Sequence, residues 1–309
     1  MRRTFSDVKV LTKREQRVAL PVLGFIILLI VVFAIFPVCQ LAWWSLTDKQ
    51  IGSEEQIVGL SNYLRVFASR TYYVVTEQTL VYTTLSVLLK LLLGTSLALL
   101  TVKVVRDSAG RTMGGLVPVL LLPWAIPTAA SMLIWSWVLY DLGGLLNSVL
   151  RFSGLISTNI AWLGSHRLAT ASMISVNTWR GMGFFYSSIL AARLSIPDQR
   201  YFVGRIEGAS SWTIFRGITL PEMLTTILVV TLISIINTYT DFQLVHILTN
   251  GGPGDSTQIF STMIYELAFR GRSSLGYAAA FAISLLPLLI LIMVILLRLI
   301  SKRQGFQIV

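Results

Sequence analysis

The sequence predicts an all-α membrane protein with six transmembrane helices, and three observations predict it. Of its 309 residues, 54% are hydrophobic and 13% charged, and the mean hydropathy is +0.73. That is too apolar for a soluble chain of this length. Long apolar runs recur along the chain, and about 20 apolar residues are enough to cross a hydrocarbon core about 30 Å thick. Most of the 25 Lys and Arg residues lie in short segments that flank those runs rather than in one patch. A net charge of +11 therefore reads as a set of topology determinants, not as a nucleic-acid surface.

The first run, Val18 to Leu46, follows Arg2, Arg3, Lys9, Lys13, Arg14 and Arg17 and ends at Trp43-Trp44. It is too long for a signal peptide, and its tryptophans suit a membrane interface. Residues 1–17 are thus a basic cytoplasmic N-terminus. The polar stretch Thr47 to Thr71 is outside. The second run, Tyr72 to Val102, leads to an inside loop with Lys103, Arg106 and Arg111. The third, Gly114 to Tyr140, carries Pro118, Pro123 and Pro127, so it is expected to be bent and to line something. Asp141 to Arg167 lies outside. The fourth run is Leu168 to Ala192 and the fifth Met223 to Leu248. The inside loop 193–219 between them holds Arg193, Arg200, Arg205 and Arg216. An outside stretch, Thr249 to Gly276, opens with the turn signal Asn250-Gly251-Gly252-Pro253-Gly254. The sixth run, Tyr277 to Ile300, completes a membrane domain over 18–300, and a tail, 301–309, begins inside with Lys302 and Arg303. This arrangement places sixteen basic residues inside, counting Arg298 at the end of the sixth run, and seven outside, and both termini in the cytoplasm.

The lone Cys39 cannot form an intramolecular disulfide, and His166 and His246 stand too far apart in sequence to propose a metal site. The chain lacks the G-x-x-x-x-G-K-[ST] phosphate cradle. No catalytic constellation gathers at one membrane face, which argues against a membrane-embedded enzyme. An ion- or proton-coupled secondary transporter is the main alternative, but the inverted repeats typical of that class are not seen.

The loop Val203 to Pro221 is unusual because it is polar and rich in small residues between two apolar runs. Ser195-Ile196-Pro197-Asp198 reads as a helix start, with Ser195 as the cap. Ile206, Ala209 and Phe215 are expected along one helical face with Trp212 close by, and Gly208, Ala209, Ser210 and Ser211 would let a partner backbone approach. Within the spans, ionisable residues are functional candidates. Lys90, Arg180, Glu222 and Asp241 qualify; Glu222 is near the inside end. Trp179, Arg180, Asn237, Tyr239 and Asp241 are the candidate residues of a substrate path, and an Arg180–Asp241 ion pair is an equal alternative to direct solute contact.

Gly208, nine further residues, then Ile218-x-Leu220-Pro221 resembles the coupling loop of the permease subunits of ATP-driven importers. The likeness extends over nearly the whole chain. It includes Arg17-Val18-Ala19-Leu20-Pro21 with Phe36-Pro37 and Ser45-Leu46-Thr47-Asp48, Gly59-Leu60-Ser61-Asn62-Tyr63, Leu122-Pro123-Trp124, Trp135-x-Trp137, Gly144-Leu145-Leu146-Asn147, Trp179-Arg180-Gly181, and Leu248-Thr249-Asn250-Gly251-Gly252-Pro253 with Gly276-Tyr277. Together these resemble carbohydrate-type, binding-protein-dependent importer permeases. The resemblance implies the type I importer permease fold and a place in a bacterial or archaeal inner membrane. It implies as partners a second permease subunit, two copies of an ATPase, and an extracytoplasmic solute-binding protein, with a sugar-like solute. ATP and magnesium would be used on the ATPase, and no cofactor would be held by this chain. The ATPase would dock on Phe202, Val203, Gly204, Glu207, Gly208, Ala209, Ser210, Trp212, Ile218, Leu220 and Pro221. One departure stands out. The family's Glu-Ala-Ala is Phe202-Val203-Gly204 here, and Glu207 replaces its aspartate, so an altered contact with the ATPase is expected.

Overall fold

The architecture is seen in a computed structural model that describes residues 13–107, 113–270 and 274–304. Most of the basic N-terminal segment, Arg111, Arg272 and the end of the C-terminal tail lie outside the described residues. Those residues contain helices and two isolated bridges, Thr47 with Ile57 and Gln50 with Ser274, but no strand. Satisfying every backbone group within its own segment is what the interior of a bilayer requires.

Four helical stretches are long and apolar enough to cross a membrane: Leu20–Ser45, Arg70–Val105, Ser211–Tyr239 and Leu275–Lys302. The first comprises α1 (Lys13–Ile30), a π turn at Val31–Ile35 and α2 (Phe36–Ser45). The π turn comes just before Pro37, which has no N–H to donate. After the short helix α3 (Ser61–Ala68) comes α4 (Arg70–Asp107), the second span.

The third run is bent, as its prolines predict, and the bend is a full break. It divides into α5 (Met113–Ala125) and α6 (Thr128–Val138), bent by 96°. Ile126 ends the helix because it precedes Pro127, whose ring disfavours an α conformation at the residue before it. The prolines at 118 and 123 stay inside α5. Helix α7 (Leu145–Phe152) then leads to α8 (His166–Leu194).

At 29 residues, α8 is about 43 Å long by the usual rise, enough to span the bilayer. It is less apolar than the four stretches above because it is the central helix. Thirteen of its residues are buried, and α4, α5 and α11 (Leu220–Tyr239) pack around it. Small residues set these distances. A Cβ on Gly94 would lie 2.5 Å from Phe185 Cβ, and one on Gly183 would lie 2.9 Å from the Leu120 carbonyl oxygen. Close approach through small residues is the usual means of joining helices in lipid.

The connection between the fourth and fifth runs is two helices. Helix α9 (Asp198–Ile206) is followed by a turn, and α10 (Ser211–Ile214) then runs through a second π turn, Phe215–Thr219, into α11. This corrects three expectations. Ser195 ends α8, donating its hydroxyl to the Ala192 carbonyl at 2.7 Å, and does not start α9. Ile206, Ala209 and Phe215 do not share a helical face, because the chain turns between them. Leu220-Pro221 does not end the loop, since helix is already continuous from Ser211. Again the π turn falls just before a proline.

The fifth run also divides. It ends as helix at Tyr239, breaks at Thr240-Asp241, and resumes as α12 (Phe242–Leu248). Helix α13 (Phe260–Phe269) and the sixth span, α14 (Leu275–Gln304), complete the chain.

Three apolar clusters hold these elements together. One joins Phe185, Ile189 and Tyr186 of α8 to Tyr201 of α9 and Met223 and Ile227 of α11. A second joins Met173 and Val176 to Tyr82, Met132 and Leu244. A third joins Tyr72 and Val75 to Tyr239, Phe260 and Phe281. Along α8, residues 180–184 fall between the first two clusters, and the polar site is there.

Candidate functional site

The breaks in the third and fifth runs meet beside α8. At the second break Asp241 caps α12, one carboxylate oxygen accepting the Leu244 N–H at 3.4 Å. Its other oxygen accepts from Arg180 Nη2 at 2.9 Å and from Asn177 Nδ2 at 2.8 Å. Arg180 Nη1 reaches across to the Thr128 hydroxyl at 2.6 Å, at the start of α6. One buried carboxylate thus ties α8 to the break after α11, and its arginine ties α8 to the break before α6. Both charges are hydrogen-bonded, as a charge away from water must be.

Beside this pair lies a cavity of about 340 Å³. Lys90 of α4 lines it and donates to the hydroxyls of Thr238 at 2.9 Å and Ser234 at 3.5 Å on α11. Gly181 is what lets Lys90 through, because a Cβ there would stand 2.8 Å from Lys90 Cδ and Cε. Trp124, Phe184 and Phe242 supply aromatic surface, Trp124 and Phe184 being stacked at 6.0 Å. Asn237, Thr240 and Gln243 supply amides and a hydroxyl.

Of the candidate path residues, Arg180, Asn237 and Asp241 line this cavity, and the Arg180–Asp241 ion pair is formed. Trp179 and Tyr239 do not line it. Trp179 meets Trp135 edge-on at 5.3 Å. Tyr239 is turned into the third apolar cluster, where its hydroxyl donates to the Leu285 carbonyl at 3.4 Å. Tyr239 is turned about 100° around α11 from Thr238, which faces Lys90. Sequence reasoning singled out Lys90 as an intramembrane charge but did not place it in the path. It passed over Thr128, Ser234 and Thr238, because a hydroxyl within a span carries no signal until a charge is found opposite it.

The second candidate region is the turn between α9 and α10. Gly208 has φ +75° with open space beside it, so its need is for a left-handed backbone and not for room. The Gly208 N–H donates to the Arg205 carbonyl at 3.0 Å, and the Ala209 N–H to the Gly204 carbonyl at 2.9 Å. Ser210 then caps α10 by accepting the Thr213 N–H at 3.2 Å. Gly204 is buried against Ile214 and Ile218, and Leu220 packs on the first cluster. The Tyr201 hydroxyl meets that of Thr219 at 3.2 Å, the Arg193 guanidinium lies 4.0 Å over the Tyr201 ring, and Arg200 pairs with Glu222. On this fixed base Phe202, Val203, Ile206 and Trp212 are exposed, Ile206 by 83%. Glu207 and Pro221 are exposed as well. The position of the family's glutamate carries an exposed phenyl ring.

Two of the motifs in the segments between spans have structural roles. Asn147 donates to the Asp141 and Ile160 carbonyls and accepts from the Ile160 N–H and the Trp162 indole, closing the segment between α6 and α8. Asn62 donates to the Ser45 and Thr47 carbonyls, and Tyr63 meets Ser45 at 2.8 Å, fixing the exit of the first span.

Comparison with known proteins agrees with this architecture. Residues 90–305 match the family model described as binding-protein-dependent transport system inner membrane component. The trehalose/maltose transport system permease protein MalF of Thermococcus litoralis is 32% identical, with 87% of this chain and 90% of that protein covered. A probable ABC transporter permease protein of Brucella suis is 31% identical, with 90% and 94% covered. Among solved structures, a chain of a bacterial ABC transporter involved in the import of the acidic polysaccharide alginate superposes with a TM-score of 0.79. It is 22% identical and covers 94% of this chain and 96% of its own length. The fold is thus that of the type I importer permeases, and the ion-coupled alternative is not favoured. The chain belongs to the family of binding-protein-dependent transport system inner membrane components, and it is a permease subunit of such an importer.

Proposed function

We propose that this chain forms half of the translocation path for a sugar or related solute, a second permease subunit forming the other half. In this reading two ATPase subunits bind ATP and magnesium and drive the transport step. They dock on the turn between α9 and α10 and on the start of the fifth span, within residues 193–221. An extracytoplasmic binding protein delivers solute at the opposite side, and both termini are cytoplasmic. The single observation that carries the docking reading is the exposed apolar group Phe202, Val203, Ile206 and Trp212. It stands on a buried, hydrogen-bonded base at the end of the bundle that bears Arg193, Arg200, Arg205 and Arg216. Apolar side chains held out on a polar loop are the mark of an interaction surface. The arginines beside them keep that end inside. The polar cavity, with aromatic faces beside amides and hydroxyls, has the chemistry of a sugar path.

The test is substitution of Ile206 by Asp, alone and with Trp212→Ala, in the tagged chain purified in mild detergent. The expected result is a fall of ten-fold or more in the recovered ATPase with the second permease retained. Full recovery of ATPase with both variants would exclude this turn as the docking site.

A further inference from the structure

The cavity between α4, α8 and α11 has an excess of positive charge. Its lining includes two cations, Lys90 and Arg180, and one carboxylate, Asp241. That carboxylate is already engaged by Arg180 and Asn177. Lys90 is only 4% exposed and makes no ion pair among the described residues; its ammonium is held by two hydroxyls. Hydroxyls solvate an ammonium but do not neutralise it, and a buried charge without a counter-ion is costly. Intramembrane charges of this kind mark a solute pathway. Gly181 keeps the lysine in place by leaving room for its stem. Around it the aromatic faces of Trp124, Phe184 and Phe242 can take the apolar face of a pyranose ring, and Asn237 and Gln243 can take its hydroxyls.

We infer that the solute carried past this site is a sugar bearing one acidic group, and that Lys90 is the residue that receives the anion. The inference rests on the importer reading above and adds the charge class of its solute. Arg180 is not the receiving group, since its Nη1 and Nη2 are taken by Thr128 and Asp241 and its one unpartnered nitrogen, Nε, is buried. An anion entering the cavity gives Lys90 a direct ion pair, where Asp241 now acts on it only through space. A neutral sugar leaves it unpaired and gains only ring stacking and hydrogen bonds.

The experiment uses the complete importer with its binding protein in liposomes loaded with ATP. Two probes are compared, a disaccharide carrying a C6 carboxylate and the same disaccharide with a C6 alcohol. The wild type is expected to take up the carboxylated probe. Lys90→Met is expected to lower that uptake at least ten-fold, and Lys90→Arg is expected to hold it within about three-fold. In Lys90→Met the ATPase remains bound and still responds to the docked binding protein, which separates loss of the site from loss of the assembly. An importer that assembles, hydrolyses ATP in response to its binding protein and refuses the carboxylated probe overturns the inference. So does a Lys90→Met variant that carries that probe as well as the wild type. Failure of the importer reading itself would show separately, as a chain recovered without an ATPase.

Discussion

At Gly181, Gly183 and Gly94 the same change, addition of one methyl group, meets different obstacles. At 181 the methyl would meet the middle of a flexible lysine stem, whereas at 183 it meets the Leu120 carbonyl and at 94 the Phe185 Cβ and the Tyr186 backbone nitrogen at 3.0 Å. Backbone cannot step aside as a lysine can. Gly94→Ala and Gly183→Ala are therefore expected to destabilise the helix packing by about 1–3 kcal/mol, seen as a lower melting temperature in detergent. Gly181→Ala is expected to melt near the wild type but to lower uptake, because Lys90 is displaced. At Asp241 the expectation is at least as large. Removing the carboxylate leaves Arg180 unpaired, at a cost of about 3 kcal/mol, the low end for a buried pair because Arg180 is one quarter exposed. Asp241→Ala should thus melt at least as low as the Gly94 and Gly183 variants. Asp241 was legible in the sequence as a charge and Arg180 as its partner. Its position at a helix break was not, since Asn237 to Phe242 contains no glycine or proline. The one available cue was an aspartate that could cap Phe242–Leu248.

At the scale of elements, proline explains both what the sequence disclosed and what it concealed. Pro127 marked a bend, and its effect on Ile126 makes the bend a 96° break with a second helix beyond it. Pro221 looked like a boundary, but it sits, like Pro37, inside a continuous span, each preceded by a π turn. Arg193 to Arg216 marked the connection between the fourth and fifth runs, but hydropathy alone could not show that residues 211–219 already belong to the fifth span. The turn at Gly208 was legible as a motif, and the structure supplies its reason in a φ of +75°. Gly208→Val forces a branched side chain into that conformation, at about 1–2 kcal/mol. It is expected to reshape the turn and lower transport-coupled ATP hydrolysis while the chain still inserts, as measured by ATPase stimulation in proteoliposomes. Asn147 makes four hydrogen bonds from one side chain. At about 1 kcal/mol each, reduced by water reaching the outer segment, Asn147→Ala is expected to cost about 2–3 kcal/mol and to expose residues 141–165 to protease.

For the whole molecule, the central position of α8 connects these scales. Its polar residues made it the least apolar of the six runs, and burial against α4, α5 and α11 explains why it needs no lipid-facing surface. One end of α8 leads into the turn at α9, the middle carries Arg180, and the pairs Lys90 with Gly181 and Gly94 with Phe185 show α4 running beside it in the same direction. A displacement at the turn therefore has a continuous helix through which to reach the cavity. The six runs and the inner loop were legible because lipid imposes length and charge rules on sequence. The cavity was only partly legible because it depends on which face of α11 looks toward α4, and that is settled by packing.

The central claim is that this chain works as one part of an ATP-driven importer, with the cavity as path and the turn as docking site. The most direct measurement is purification of the tagged chain from membranes in mild detergent, followed by an ATPase assay with and without the loaded binding protein. The account predicts recovery of a second permease and an ATPase, and hydrolysis that rises several-fold when the binding protein is added. Recovery of the chain alone, or with an ATPase indifferent to the binding protein, would contradict it.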